Sequence, residues 1–284
     1  MEREKLLCLD EAAAKIRCLS LEAVFNAESG HPGGSLSIAE IIAYLYFERM
    51  NVDPSNPEMP DRDRFVLSKG HTCPALYAAL AMRGFFPEEE IKTVRRLGSR
   101  LQGHPDMHKV PGVDMSTGSL GHGISAACGM AVKAKRSCDR YKVFAIIGDG
   151  ETQEGQVWEA AMFAAHYKLN NLITFLDFNH LQIDGDVREV MNPTPLDEKF
   201  AAFGWYVQNI DGHSIEEIDS AVKNADKSDK PSVIICTTVK GKGVSYMENN
   251  ADWHGKAPNK DDHEVAFLEL KAAHERAREA CKNG

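Results

Sequence analysis

Five short β-rich stretches are bounded by Gly, Asp or Asn, and several carry apolar residues in nearly unbroken runs: "RFVLSKG", "YKVFAIIGDG", "NLITFLDFN", "GWYVQNIDG" and "PSVIICTTVKG". Runs of this kind, with little polar alternation, mark strands covered on both faces of a sheet. Between them the apolar positions take helical spacing, near residues 72–83, 120–136, 154–168 and 214–226. The opening "MEREKLLCLDEAAAKIRCLSLEAVF" reads as an amphipathic helix, and Lys260 to Cys281 reads as a surface helix. Ser37 and Glu40 have capping-box spacing ahead of "IIAYLYFERM", which marks another helix start. Pro54, Pro57 and Pro60 make the stretch from Met50 to Arg64 a loop. Strand and helix alternating in this way predict an α/β fold of three layers, α/β/α, around a mainly parallel sheet. Residues 1–284 are expected to form one domain with helical extensions at both ends.

Composition narrows the classes of function. A net charge of -9 gives no basic face for nucleic acid. No apolar run approaches the length of a membrane span, and the first helix is too charged for an export signal. The seven cysteines, Cys8, Cys18, Cys73, Cys128, Cys138, Cys236 and Cys281, show no CxxC pairing. Their scatter leads to an expectation of reduced thiols and a cytoplasmic location. Cys73 stands near His71 but reads as a small buried hydrophobe rather than a nucleophile.

The candidate chemistry begins at "IIGDGETQEGQVWEA", where Asp149 sits on a strand-to-helix turn between Gly148 and Gly150. Such turns bind phosphate through backbone N–H groups, and a carboxylate there repels a phosphate unless a cation lies between them. Mg²⁺ takes carboxylate or carbonyl oxygens together with phosphate oxygens. Asn179, about thirty residues on at the end of "ITFLDFN", offers a second oxygen, and the Leu181 carbonyl a third. Residues alone leave the alternative open that Asp149 and Asn179 are self-capping turn residues.

Taken together, "GDGETQEG" and "LDFNHLQIDG" resemble the thiamine-diphosphate motif, in which a metal anchors the cofactor's diphosphate. Further stretches resemble transketolase in order along the chain: "ESGHPGGSLS", "LSKGHTCPALYAAL", "LQGHPD", "STGSLGHG" and "DWHGKAP". The resemblance covers essentially the whole chain and implies a diphosphate-binding domain. It implies a catalytic set of His31, His104 and His254, facing the substrate. It assigns the cofactor to His71, Gly118, Ser119, Leu120, Gly148, Gly150, Glu151, Asn179 and His254. The metal falls to Asp149, Asn179 and Leu181, as Mg²⁺, with Ca²⁺ or Mn²⁺ as substitutes. Imidazoles with ordinary pKa values near 6.5 would suit proton exchange with sugar hydroxyls. Glu154 resembles a family glutamate at the contact between cofactor-binding domains; helix-dipole compensation is its plainer reading. His166, His180 and His213 lack a motif and read as structural.

Two departures from the family pattern stand out: His122 where Gln is common, and Lys256 within the late "HGKAP". A larger difference is length. The family's pyrimidine-binding and C-terminal domains, with the glutamate that activates the cofactor, lie beyond the region matched here. The chain also stops after a helix without a trailing linker. The expectation is therefore the N-terminal subunit of a split transketolase, completed by a separate C-terminal subunit, two copies of each, acting on sugar phosphates. Alternatives are half of a deoxyxylulose-phosphate synthase-like enzyme, or a non-catalytic scaffold that binds the cofactor.

Overall fold

The five β-rich stretches form one parallel sheet. In the computed structural model, which describes residues 1–284, β1 (Arg64–Leu67), β2 (Val143–Gly148), β3 (Leu172–Phe178), β6 (Tyr206–Asp211) and β7 (Ser232–Thr237) lie in the order β1-β2-β3-β7-β6. A two-strand hairpin, β4 (Leu181–Gln182) with β5 (Gly185–Asp186), stands apart as an antiparallel pair. Alternate residues of each central strand point to opposite cores, as the pleat requires. Phe144, Ile146, Ile173, Phe175 and Ile234 face one layer, while Val143, Ala145, Ile147, Leu172, Leu176 and Val233 face the other. The near-continuous apolar reading of these strands follows from cover on both sides.

The first layer is built from α1 (Arg3–Ala27), α3 (Ala39–Tyr44), α4 (Cys73–Arg83) and α9 (Ile215–Ala225). The second contains α5 (His122–Ser137), α6 (Gly155–His166) and α8 (Leu196–Ala202). Short helices α2 (Pro32–Leu36) and α7 (Val187–Met191) sit within the connections. The last helix, α10 (Lys260–Asn283), packs along α1 and buries Ala266 and Leu270. Its start carries a capping box between Asn259 and Asp262.

Two expectations fail. Ser37 and Glu40 form no capping box: α3 begins at Ala39 without a side-chain cap. The Ser37 hydroxyl instead donates to the Gly34 carbonyl and to Asp177, and the Glu40 carboxylate turns inward to Arg17. Long-range partners outcompete the local motif. The thiols are not all reduced either, because Cys8 on α1 and Cys281 on α10 are joined in a disulfide. Sequence spacing gave no sign of it, since the pair is 273 residues apart and only the packing of the terminal helices brings it together. The other five cysteines are free, with Cys73 buried as expected and its thiol pushed up to about 12 by that burial.

Candidate active site

Parallel strands deliver their carboxyl ends to one edge of the sheet, where open α/β folds hold ligands. Lys69 and His71 follow β1, Asp149 follows β2, Asn179 follows β3 and Lys240 follows β7. These four strands are neighbours in the sheet, so the five side chains converge on one cleft of about 310 Å³. His254, Leu120, Gly148, Gly150 and Leu181 line it as well.

The turn after β2 is shaped by its own carboxylates. Asp149 Oδ1 accepts the Gly150 N–H at 2.8 Å, and Oδ2 accepts the His180 N–H at 2.6 Å. The two strand-end loops are thereby tied together. Glu151 is fully enclosed; its carboxylate accepts from Ser68, from the Gly121 N–H at 2.8 Å and from the Gly148 N–H at 3.1 Å. It braces three segments of the site with its side chain. Asn179 donates to Asp177 at 2.8 Å, and this fixes its amide so that Oδ1 is the oxygen left to accept, here from the Leu181 N–H at 3.1 Å. Asp177 also receives Lys69, Ser37 and Thr238, so it is paired as a buried charge must be.

Charge at the cleft floor is out of balance. Lys69 and Lys240 stand against three buried carboxylates, Asp149, Glu151 and Asp177. Burial, reinforced by the Asp177 charge, pushes Asp149 up to about 7. Burial and the Lys69 charge bring Lys240 down to about 8. The Lys240 ammonium donates to the Leu181 carbonyl at 2.9 Å, placing a cation beside one of the three oxygens expected to hold metal. A carboxylate, an amide oxygen and a carbonyl are hard donors of the kind Mg²⁺ takes, and a buried carboxylate short of positive charge is what such a cation would relieve. The residues fit the metal.

Three imidazoles gather over this floor. The His31 ring lies 4.9 Å from that of His71 and 5.5 Å from that of His254, and His71 lies 5.2 Å from His254. Their titration differs from expectation. Burial, with neighbouring Arg95, His104 and Lys240, lowers His31 to about 4. Burial and Lys240 lower His254 to about 3, and burial with Lys69 holds His71 well below the usual range. His104 is shifted down too, by burial and Arg95. Crowded cations and dry surroundings keep these rings neutral at physiological pH, so they are hydrogen-bonding groups rather than ready proton carriers.

His104, Gly118 and Ser119 are exposed and do not line the cleft. Gly118, at φ 158°, packs on the His104 ring, where a Cβ would come within 3.3 Å. His213 is structural, bonded to Glu40 and to the Val239 N–H. The His180 ring packs against Phe178 at a tilt of 54°. The exposed Glu154 lies at the edge of the cleft, ahead of α6. Sequence reasoning missed Lys69, Asp177 and Lys240. The available signal was a charged residue at or just after the carboxyl end of a buried parallel strand, as in "LSKG", "FLDFN" and "TTVKG".

Comparison with known proteins adds independent findings. Residues 9–277 match the family model described as transketolase, thiamine diphosphate binding domain. The 6-deoxy-6-sulfo-D-fructose transketolase subunit SqwG of Clostridium sp. (strain MSTE9) is 49% identical over 269 residues, covering 94% of this chain and 98% of that protein. One subunit of the apulose-4-phosphate transketolase of Phocaeicola vulgatus is 43% identical, covering 92% of this chain and 93% of its own length. Human transketolase is 42% identical over 95% of this chain, but the match spans only 43% of that longer protein. The crystal structure of transketolase from Campylobacter jejuni superposes with a TM-score of 0.87 at 34% identity, over 96% of this chain and 46% of that one.

Proposed function

From the premise that this chain belongs to the transketolase family and carries its thiamine-diphosphate-binding domain, we propose that it is the N-terminal subunit of a two-subunit transketolase. Mg²⁺ is held by Asp149, Asn179 and the Leu181 carbonyl, and Ca²⁺ or Mn²⁺ can replace it. His71, His254 and the backbone around Gly148, Gly150 and Leu120 receive the cofactor, with the exposed Gly118 and Ser119 just ahead of Leu120. The observation that carries this reading is the convergence of Asp149, Asn179 and the Leu181 carbonyl at the ends of two adjacent strands, beside two buried lysines.

Thiamine diphosphate, when bound, supplies the electron sink that allows a ketose carbon–carbon bond to break. The chain's own groups do the rest of the work on this side. Neutral His31, His104 and His254 orient the sugar oxygens by donating or accepting hydrogen bonds, and their low pKa values keep them from adding positive charge to the floor. The reaction is transfer of a two-carbon ketol unit from a ketose donor to an aldose acceptor. Relatives named for 6-deoxy-6-sulfo-D-fructose and apulose 4-phosphate favour a ketose with an anionic end, the sugar phosphates being the default.

A complementary subunit completes the enzyme, with two of each chain in the assembly. Support comes from relatives named as subunits that this chain matches over 93–98% of their own length. No helix is long and apolar enough to cross a membrane. The test is complementation. Purified alone, the chain should show no ketol transfer in the presence of Mg²⁺ and cofactor, and adding the partner captured from the native source should restore it. Robust turnover by the isolated chain would sink the two-subunit reading.

A further inference from the structure

His213 lies on the connection between β6 and α9, outside the cleft, and nothing in the proposed reaction uses it. Both its ring nitrogens are engaged. Nδ1 lies 3.0 Å from Glu40 Oε2, and Nε2 lies 2.9 Å from the Val239 backbone nitrogen. A backbone N–H can only donate, so Nε2 is the acceptor, and Nδ1 carries the hydrogen that goes to Glu40. Glu40 is itself locked. Burial raises its carboxyl, but the Arg17 charge and hydrogen bonds from His213 and Arg17 outweigh that and bring it to about 2. Arg17 reaches Glu40 at 2.6 Å and the Leu36 carbonyl at 3.1 Å. A buried chain therefore runs from α1 through α3 to the backbone just after β7.

The residue after Val239 is Lys240. Its ammonium donates to the Leu181 carbonyl at 2.9 Å and stands 2.8 Å from His254 Nδ1. The stem passes close to Gly33, where a Cβ would sit 3.0 Å from Lys240 Cγ. The Gly241 N–H bonds the Gly33 carbonyl at 2.9 Å. A flexible lysine stem places its charge reproducibly only when its backbone is anchored on both sides. The Gly241 N–H and the Lys240 carbonyl, which accepts the Asn249 N–H at 2.9 Å, are held on one side, and His213 acting on the Val239 N–H is the anchor on the other.

We infer that His213 is a positioning residue of the site: fixed in one tautomer by Glu40, it anchors the Val239 amide and so aims the Lys240 ammonium at the Leu181 carbonyl and His254. The inference rests on reading the cleft as a site for metal and diphosphate.

The experiment uses the full chain assembled with its complementary subunit, comparing wild type with His213→Ala, His213→Leu, His213→Gln, Lys240→Ala and the double variant His213→Ala/Lys240→Ala. Thiamine diphosphate is titrated calorimetrically in MgCl₂, and hydrogen exchange of the segment around Val239 is followed by mass spectrometry in the free chain. His213→Ala should weaken cofactor binding about ten- to hundred-fold, the range found for groups that orient a metal site's ligands. His213→Leu keeps the bulk without the hydrogen bonds and should weaken it similarly; it serves where the alanine chain does not fold. His213→Gln can both donate and accept and should recover most of the affinity. In the Lys240→Ala background the His213 substitution should have no further effect, because its action runs through that lysine. Exchange at Val239 should quicken in the Ala and Leu variants only. Wild-type affinity in His213→Ala, an equal loss in the Lys240→Ala background, or slow exchange at Val239 without the imidazole would each overturn the inference. Absence of cofactor binding by the wild type would instead overturn the functional reading.

Discussion

At the scale of single residues, Asp149 is the group whose chemistry is most out of the ordinary. A carboxyl raised to about 7 is substantially protonated below neutrality and must lose that proton before it can bind a cation. Mg²⁺-dependent binding of thiamine diphosphate is therefore expected to weaken about tenfold for each pH unit below about 7. Lowered imidazoles do the opposite: His31 and His254, shifted to about 4 and about 3, remain neutral through that window and contribute no loss. Saturating Mg²⁺ at pH 6 should then recover turnover. If activity stays low at saturating metal, the assignment of Asp149 is wrong. His104→Ala separates the other role. Its place outside the cleft lining predicts turnover reduced about tenfold, the loss of one hydrogen bond to the sugar, with cofactor affinity unchanged, measured by steady-state kinetics beside calorimetry. Asp149, Asn179 and the histidines were legible because each sits in a Gly-rich turn whose spacing has a chemical reason. Lys240 was not, since a lysine after a strand looks like any solvated charge until the fold buries it.

Elements were legible where burial is two-sided. All five strands of the parallel sheet appear where the runs placed them; β2, β3 and β7 are nearly unbroken because helices cover both their faces, whereas the edge strand β6 keeps Gln208 and Asn209 and is only partly buried. Local motifs did less well. The Ser37–Glu40 spacing yields no cap because Asp177, 140 residues away, takes the hydroxyl. The β4–β5 hairpin is too short for an apolar run; Gln153 ties it to α7 by donating to Gln182 of β4 and to the Met191 carbonyl of α7, both at 2.6 Å. The sharpest element-level constraint is where α5 begins beside the end of β1. A Cβ on Gly123 would fall 2.6 Å from Ser68 Cα and 2.7 Å from Ser68 Cβ, a clash with backbone that no rotamer relieves. Gly123→Ala should cost about 1–3 kcal/mol, as overpacking does, read from urea unfolding. Because Ser68 is one of the groups holding Glu151, the same variant should bind cofactor more weakly. Normal stability would mean that α5 shifts freely against the sheet.

For the whole molecule, the telling contrast lies between a sheet that was readable and termini that were not. Cys8 and Cys281 gave no local hint of pairing, yet the packing of α10 along α1 brings their Cα atoms to 4.8 Å. That bond closes nearly the entire chain into one loop, so its effect falls on the unfolded state, whose freedom it restricts. Disulfides contribute about 2–4 kcal/mol in typical cases, and more as the closed loop lengthens. The helices it joins carry much of their own contact, through Leu21, Ala266 and Leu270, so folding does not depend on it. The expected outcome for Cys8→Ser/Cys281→Ser is thus a chain that still folds and still binds cofactor, since neither cysteine lines the cleft. Its urea midpoint should fall, and dithiothreitol should lower the wild type to the same value while leaving the variant unchanged. A variant as stable as the oxidised protein would show that α1 and α10 hold together by packing alone. A variant that lost cofactor would mean that the terminal helices support the strand-end loops, on which Arg17 of α1 already bears through Glu40 and His213.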